Sequence, residues 1–208
     1  TDGTYQVDVI ALNSARQWQA QDAATSASWT VDSAPPARLL INEILASNVG
    51  AVGHAGTFHD MVELLYDAPP GAPTLNLRDM SLSDDPASPR KFVFLGDAVL
   101  EPGGYLTLFA DRDSSTPGLH LGFALDASGD ALYLYDSLAG GGDLLDGVQF
   151  GLQAADLSIG VVQGQWQLTQ PTFGLANRAQ PTAEATALRI NEWLASGQVR
   201  LPDDFIEL

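Results

Sequence analysis

The sequence predicts an all-β fold, either a sandwich or a barrel, and three observations support this prediction. Nine short runs rich in Val, Ile, Leu, Phe and Tyr follow one another through residues 38–162. Clusters of Gly, Pro and Asp separate these runs, and no segment of helical length has a 3.6-residue hydrophobic period. Short strands at this spacing, with no helices between them, are typical of sandwiches and barrels.

The apolar runs and their turn signals define the predicted strands in order. Turn-forming sequences such as Pro-Pro-Gly at 69–71 and Gly-Gly-Gly-Asp at 140–143 end one run before the next begins. Two earlier runs with period-2 alternation, 5–9 and 27–31, predict the last strands of a preceding β domain. We expect the nine later strands at 38–46, 61–66, 78–83, 91–95, 104–110, 121–125, 131–136, 144–150 and 157–162.

An internal repeat is the most specific signal in the chain. Residues 39–47 and 188–196 are identical at seven of nine positions, and residues 60–64 recur in similar form as 204–208. The two offsets are 149 and 144 residues, so the second copy has a shorter loop between its matched segments. We expect the chain to be part of a longer protein and to divide into three parts: 1–36, the end of one domain and a linker; 37–181, one complete unit; and 182–208, a linker and the first strands of a second unit.

Nine short motifs follow one another along the complete unit of residues 37–181. They include Ile-Asn-Glu-Ile-Leu-Ala-Ser-Asn at 41–48, Asp-x-Val-Glu-Leu at 60–64, Gly-Asp-x-Leu-Tyr-Leu at 129–134 and Pro-Thr-x-Gly-x-x-Asn at 171–177. Together they resemble the lamin-tail domain, an immunoglobulin-like β-sandwich of nuclear lamins and of many bacterial exported proteins. Residues 1–33 resemble the end of an immunoglobulin- or fibronectin-like repeat. The resemblance therefore implies an immunoglobulin-like sandwich with partial β elements at both ends.

Composition and charge limit the classes of partner. The chain has 208 residues, of which nine are basic and 26 acidic, so its formal net charge is −17. Such a chain has no basic surface that could neutralise phosphates, and we expect neither nucleic-acid binding nor attraction to an anionic membrane. No run approaches the roughly 20 apolar residues that a membrane-spanning helix needs, so we expect no membrane insertion. The absence of Cys excludes disulfides and thiolate metal sites.

The resemblance and the modular organisation together predict a non-catalytic structural or adhesion module of an exported bacterial protein, extracellular or at the cell surface. Its expected partners are other domains of the same polypeptide, which it would space or target. The sequence contains no Cys nucleophile, no Gly-x-Ser-x-Gly motif and no phosphate-binding Gly-rich loop, so we predict that it is not an enzyme and needs no cofactor. Two alternatives remain: a carbohydrate- or protein-binding module assisted by Ca²⁺, and a metal-dependent hydrolase domain.

Four polar residues of the repeated motifs are candidates for a structural role. Asn42, Glu43, Asp60 and Glu63 lie in or beside predicted strands, and the three carboxylates recur in the second copy. Paired carboxylates can serve acid–base catalysis. We expect these instead to accept hydrogen bonds from loop amides, or from an arginine such as Arg78, and so to tie the strand ends together.

Acidic loops supply weak candidates for a calcium site. These are Asp111, Asp113, Asp126 and Asp130, all of which lie in turn-forming sequence. The segment that begins at Asp111 lacks the Gly and the Glu that an EF-hand requires at its sixth and twelfth positions. Any calcium site would therefore be irregular, and the alternative is that these residues only form Asx turns.

The hydrolase alternative depends on His54, His59 and Asp60, which share one loop. Histidine is the commonest metal ligand, but this spacing does not match the His-Glu-x-x-His pattern of helical zinc sites. We therefore favour exposed loop histidines over a metal centre.

Four aromatic residues could form a platform on which sugar rings stack: Tyr133, Tyr135, Trp166 and Phe173. The two tyrosines share one face of a predicted strand, because they are two residues apart. We favour a core position for this tyrosine pair over an exposed patch.

The two ends of the chain carry strands without the rest of a sheet. Unpaired strand edges tend to find partners. We therefore expect residues 1–33 and 188–208 to pair with each other, to pack on the central unit or to be exchanged between chains, which would produce self-association.

Overall fold

Antiparallel β-sheets make up the architecture in the computed structural model, which describes residues 2–31, 36–112, 115–184, 186–195 and 205–207. The predicted all-β fold is confirmed. Among the described residues, no helix is long and apolar enough to cross a membrane. The strands in chain order are β1 (Gly3–Val9), β2 (Thr25–Val31), β3 (Arg38–Leu45), β4 (Met61–Asp67), β5 (Leu75–Asn76), β6 (Ser81–Ser83), β7 (Phe92–Val93), β8 (Val99–Leu100), β9 (Tyr105–Phe109), β10 (Asp130–Tyr135), β11 (Leu144–Phe150), β12 (Ser158–Val162), β13 (Gln165–Gln170), β14 (Arg178–Ala179), β15 (Glu192–Leu194) and β16 (Phe205–Glu207).

Two sheets form a sandwich in the central unit. A six-stranded sheet has the order β14-β13-β12-β3-β4-β9, and a four-stranded sheet has the order β11-β10-β6-β7. The short strands β5 and β8 pair with each other. Side chains from both sheets belong to one buried apolar cluster, as expected when two inner faces pack together. Its members include Ile41, Ile44, Val62, Leu64 and Leu108 from the larger sheet and Leu82, Leu132, Leu134 and Val148 from the smaller.

An irregularity in β3 decides which side chains reach this core. The register between β3 and β4 shifts between Ile41 and Glu43, so Asn42 is an extra residue in the ladder. Ile41 and Ile44 therefore both face the core, although they are three residues apart. Glu43 and Leu45 lie on the opposite, outer face of the six-stranded sheet, where Leu45 belongs to a second apolar cluster.

The prediction of a strand at 121–125 is wrong. Leu121, Phe123 and Leu125 are buried in the core, as their alternation indicates. The backbone, however, forms only a single parallel bridge beside this segment, between Phe109 and His120. In this segment, period-2 alternation therefore predicts correctly which side chains are buried, but it does not predict whether the backbone pairs with another strand.

Other boundaries differ from the prediction for identifiable reasons. The strand predicted at 78–83 begins only at Ser81, because Asp79 adopts a positive φ of 66° that a strand does not accommodate. Four strands were not predicted: β5, β8, β13 and β14. The longest of these, β13, contains three glutamines and so has little apolar alternation.

Each end of the chain pairs within itself. β1 and β2 form one two-stranded sheet, and β15 and β16 form another. Of the three outcomes expected for the ends, pairing of the two ends with each other does not occur in the part of the chain that the structure describes. Self-association through these ends stays a prediction.

Candidate functional site

Two buried carboxylates face each other on the outer side of the six-stranded sheet. Glu43 in β3 is the cross-strand partner of Glu63 in β4, and each has 0% of its surface exposed. Burial raises the pKa of both, because water no longer solvates the charged form. The pKa of Glu63 is raised to about 7, chiefly by burial; the hydrogen bonds from Gly174 and Asn42 oppose the increase, and the charge of Glu43 adds a smaller one.

The segment 171–177 covers this pair and donates hydrogen bonds to it. The Thr172 backbone N–H lies 3.0 Å from Oε1 and 3.2 Å from Oε2 of Glu43. The Ser158 hydroxyl donates to Glu43 Oε1 at 2.6 Å. The Gly174 backbone N–H donates to Glu63 Oε2. Each carboxylate therefore holds one backbone amide of a loop that has no strand partner at that point.

Asparagine side chains extend this network. Asn42 Nδ2 donates to Glu63 Oε1 at 2.8 Å, so the bulge residue of β3 contacts the acid pair directly. Asn177 Nδ2 lies 2.8 Å from the carbonyl oxygen of Asn42 and 3.1 Å from that of Val161. Asn177 therefore ties the covering segment to β3 and β12 at once. A Cβ on Gly160 would lie 2.7 Å from Asn177 Nδ2, so glycine is the residue that leaves room for this contact.

Sequence reasoning found the acids but not their partners. Ser158, Thr172, Gly174 and Asn177 belong to the ordered motifs that carry the family resemblance, yet they are separated from Glu43 by 115 to 134 residues. That separation hides the contacts from any local pattern. The proposed alternative partner, Arg78, lies 3.6 Å from Asp97 instead.

The Glu43–Glu63 pair can bind a proton, but its carboxylates are enclosed by the protein and do not contact the solvent. Both acids have 0% exposure, and protein donors already occupy their oxygens. A general acid or base must come within hydrogen-bonding distance of the atom it protonates. The geometry therefore suits internal hydrogen bonding rather than acid–base catalysis.

Asp60 holds a neighbouring loop. Its Oδ1 accepts a hydrogen bond from the Asn48 backbone N–H at 3.1 Å. Burial raises its pKa, the Asn48 hydrogen bond opposes the shift, and the nearby charge of Asp111 adds to it. The Asn48 side chain donates at 2.7 Å to the carbonyl oxygens of both Val52 and His59. Asp60 and Asn48 thus close the loop between β3 and β4.

The three histidines of the chain gather around Asp111 and Phe109. His59 Nδ1 lies 2.7 Å from Asp111 Oδ2, and His120 Nδ1 lies 2.8 Å from Asp111 Oδ1. His54 stacks on Phe109 with 4.2 Å between ring centroids. One carboxylate therefore joins the loop before β4 to the segment that follows β9.

The remaining nitrogens of this histidine cluster also face protein oxygens. His120 Nε2 donates to the Thr116 carbonyl oxygen at 2.9 Å, and His54 Nε2 donates to that of Pro117 at 2.6 Å. His59 Nε2 lies 2.5 Å from the Thr57 hydroxyl oxygen. In the described part of the chain, no group of three His, Asp or Glu side chains is placed to hold a metal ion. The structure thus brings His54, His59 and Asp60 into one region but gives their polar atoms other partners.

The calcium candidates are also engaged locally. Asp126 Oδ1 accepts hydrogen bonds from the backbone N–H and hydroxyl of Ser128, which lower the pKa of Asp126. Asp130 Oδ2 accepts from the Asp126 backbone N–H at 2.9 Å. These contacts close a single turn. Asp111 is held by the two histidines, and Asp113 lies outside the described residues.

The tyrosine pair and Trp166 lie on different sheets. Leu132 and Leu134 fill the core, so Tyr133 and Tyr135 face outward and are half-buried. The expected core position of the tyrosines is therefore wrong, because the leucines take the inner face of β10. Tyr133 lies over Gly147, where a Cβ would come within 2.9 Å of the ring, and its hydroxyl accepts from Gln149 at 3.0 Å.

Trp166 and Phe173 belong to the other half of the sandwich. Trp166 is exposed in β13, and Phe173 packs beside the cluster formed by Leu45, Met61 and Phe109.

A scan against protein-family models and searches of curated proteins and solved structures return no significant match for this chain.

Proposed function

We propose that this chain is a non-catalytic structural or adhesion module of a larger exported bacterial protein, in which a lamin-tail-like, immunoglobulin-like sandwich spaces or targets neighbouring domains. The observation that carries the proposal is the complete burial of Glu43 and Glu63. These are the residues that an acid–base enzyme would need to expose. Here they accept hydrogen bonds from a covering loop, which is a structural task.

The organisation of the chain supports a modular role. The sandwich of residues 37–181 has its own core, and a separate two-stranded sheet lies on each side of it in sequence. Modules of this kind act through the domains that they connect. Other domains of the same polypeptide are the expected partners, and the proposed location is extracellular or at the cell surface.

A hydrolysis screen tests the absence of catalysis. We expect the purified chain to turn over no nuclease, phosphatase or glycoside substrate, with or without Zn²⁺, Mn²⁺ or Ca²⁺. The variant Glu43→Gln removes one acid of the buried pair, His59→Gln removes one histidine of the hydrolase hypothesis, and Glu101→Gln is a control at an exposed acid. Hydrolysis that disappears in either variant and persists in the control would overturn the proposal.

Carbohydrate or protein binding, assisted by Ca²⁺, is the second candidate function. It is favoured by the outward direction of Tyr133 and Tyr135 on one face of β10. A glycan array followed by calorimetry with Ca²⁺ and with EDTA tests it. Heat of binding that is lost in Tyr133→Ala but kept in Tyr5→Ala would support this function, and the absence of heat with every glycan would remove the carbohydrate version.

A further inference from the structure

The hairpin β15–β16 repeats the pairing register of β3–β4. Within the central unit, Glu43, Ile44 and Leu45 pair with Glu63, Val62 and Met61. The residues at the repeated positions pair in the same way: Glu192 with Glu207, Trp193 with Ile206 and Leu194 with Phe205. The loop between the second pair of strands is shorter, so loop length does not impose this agreement. Over these three residue pairs, the two hairpins thus have the same backbone register.

The surroundings of the two hairpins differ. Ile44 and Val62 have 0% exposure, whereas Trp193 and Ile206 are 71% and 66% exposed. In the central unit, β12 lies beside β3 and places Ile159 next to Ile44. On the other side, β9 lies beside β4 and places Leu108 next to Val62. The central unit therefore shows what covers a hairpin of this type: one antiparallel strand along each edge and a second sheet across the apolar face.

The core-facing residues of the second hairpin are larger than those of the first. Trp193 stands at the position of Ile44, and Ile206 stands at that of Val62. Ile44 lies in a closely packed core with no exposed surface. Such a core does not accept a bicyclic side chain in the volume of an isoleucine without displacing its neighbours. The strands that surround β3–β4 therefore cannot receive β15–β16 in its place.

The acid pair is retained while the apolar residues change. Glu192 and Glu207 are cross-strand partners, as Glu43 and Glu63 are. In the central unit, the backbone amides of Thr172 and Gly174 donate to the two carboxylates. A partner for β15–β16 must offer equivalent donors, because buried carboxylates without donors are strongly destabilising.

We propose that β15–β16 is a docking hairpin for the remaining strands of a second unit of this fold, and that Trp193 and Ile206 direct it to that unit and away from the central one. The partner has one strand for each edge of the hairpin and two loop amides for the acid pair. It has a residue smaller than Ile159 beside the tryptophan and a residue smaller than Leu108 beside Ile206. The inference deepens the proposed modular role. Tandem units with nearly identical hairpins are at risk of exchanging them during folding, and a size difference at the core positions prevents that exchange.

Introducing the smaller residues of β3–β4 into β15–β16 of the full chain tests whether residue size keeps the second hairpin out of the central sheet. The triple variant Trp193→Ile, Phe205→Met, Ile206→Val gives the second hairpin the apolar residues that the first has at these three positions. After unfolding and refolding, we expect hydrogen exchange to show two populations for peptides covering 38–45 and 61–67, since either hairpin can then occupy the sheet. Wild type and the control Trp18→Ile, at an exposed position outside the repeat, should each show one population. A single population in the triple variant overturns the proposal.

The converse substitution tests the size argument. Ile44→Trp in the full chain should lower the midpoint of unfolding or prevent folding, whereas Trp193→Ile should leave the midpoint unchanged. An unchanged midpoint for Ile44→Trp overturns the proposal.

Light scattering on the full chain provides a measurement that does not depend on Ile44→Trp folding. If wild type associates through the hairpin and Trp193→Ser abolishes this association, a second copy is the partner and the proposal is wrong. Detection of hydrolysis would overturn the proposed non-catalytic function without changing the hydrogen-exchange, unfolding or light-scattering results. Failure of the proposed function can therefore be distinguished from failure of the docking proposal.

Discussion

Glu43 and Glu63 are cross-strand partners with no exposed surface, and each accepts a hydrogen bond from the backbone of the same covering segment. Two carboxylates at such close range and without water cannot both carry a charge at low cost. The sheet therefore contains a proton-binding pair at the place where a loop is fixed to its outer face. The stability of this attachment should depend on pH.

The free energy of unfolding should fall as the pH rises from 4.5 to above 7. The pKa of Glu63 is raised from 4.5 to about 7, so in this range the folded state holds a proton that the unfolded state has lost. The resulting stability is complete below the unfolded pKa and is lost as the pH rises through the folded pKa. The shift corresponds to a difference on the order of 3 kcal/mol. Urea unfolding at pH 5 and pH 8 measures it.

The variant Glu63→Gln provides the control for this pH effect. Glutamine has nearly the same shape but does not titrate, so the variant should lose most of the difference between pH 5 and pH 8. Glu101→Gln, at an exposed acid, should retain the wild-type dependence. If wild type and Glu63→Gln show the same change in the free energy of unfolding between pH 5 and pH 8, titratable groups other than Glu63 cause that change.

Much of the fold follows from the sequence because period-2 alternation and turn residues are local signals. The strands predicted at 61–66, 104–110, 131–136 and 144–150 agree closely with those observed. The pattern does not show which face of a strand is inner when both carry apolar residues. In β10, leucines rather than tyrosines fill the core, and the alternation within the strand does not distinguish these two faces.

The candidate site was only half predictable. The repeat identifies Glu43 and Glu63 as a pair, but the bulge at Asn42, which places Glu43 on the outer face, has no local signature. The donors come from Thr172 and Gly174, more than 100 residues away in the chain. Such contacts depend on how two sheets and a loop pack, which a single sequence does not encode in any short pattern.

Gly160→Ala should destabilise the protein through a steric conflict with Asn177. The added Cβ would lie 2.7 Å from Asn177 Nδ2 and 3.1 Å from the Thr169 hydroxyl oxygen. Displacing the Asn177 side chain would leave two backbone carbonyl groups without their donor, a loss of about 1–3 kcal/mol. Chemical denaturation should show this loss. Gly151→Ala is the matched control, since its Cβ would have no atom within 4 Å.

A double-mutant cycle separates this conflict from the general effect of alanine on a glycine position. In an Asn177→Ala background, Gly160→Ala should cost less than in wild type, because the conflicting side chain is absent. Additive losses would show that the two residues are not coupled and that the contact is unimportant.

Asp111→Ala should loosen the loop before β4. The carboxylate contacts His59 Nδ1 and His120 Nδ1 at 2.7 and 2.8 Å, and it is largely shielded from water. Charge-assisted hydrogen bonds of this kind contribute roughly 1.5–3 kcal/mol. Backbone amides of residues 48–60 should exchange faster in the variant, while those of β10 keep their protection. Asp126→Ala, at an exposed turn, should leave the exchange of residues 48–60 unchanged.

Calcium and chelators should leave the thermal midpoint unchanged. The carboxylates of Asp126 and Asp130 are occupied by hydrogen bonds within one turn, and Asp111 is engaged by histidines. A ligand that binds only the folded state raises stability by RT ln(1 + [L]/Kd), or about 4.1 kcal/mol at a thousandfold excess over Kd. Millimolar Ca²⁺ at a site of micromolar affinity would therefore move the midpoint by several degrees. A shift of that size, removed by EDTA and absent from Asp126→Ala, would establish a calcium site at this turn and would favour the binding-module alternative.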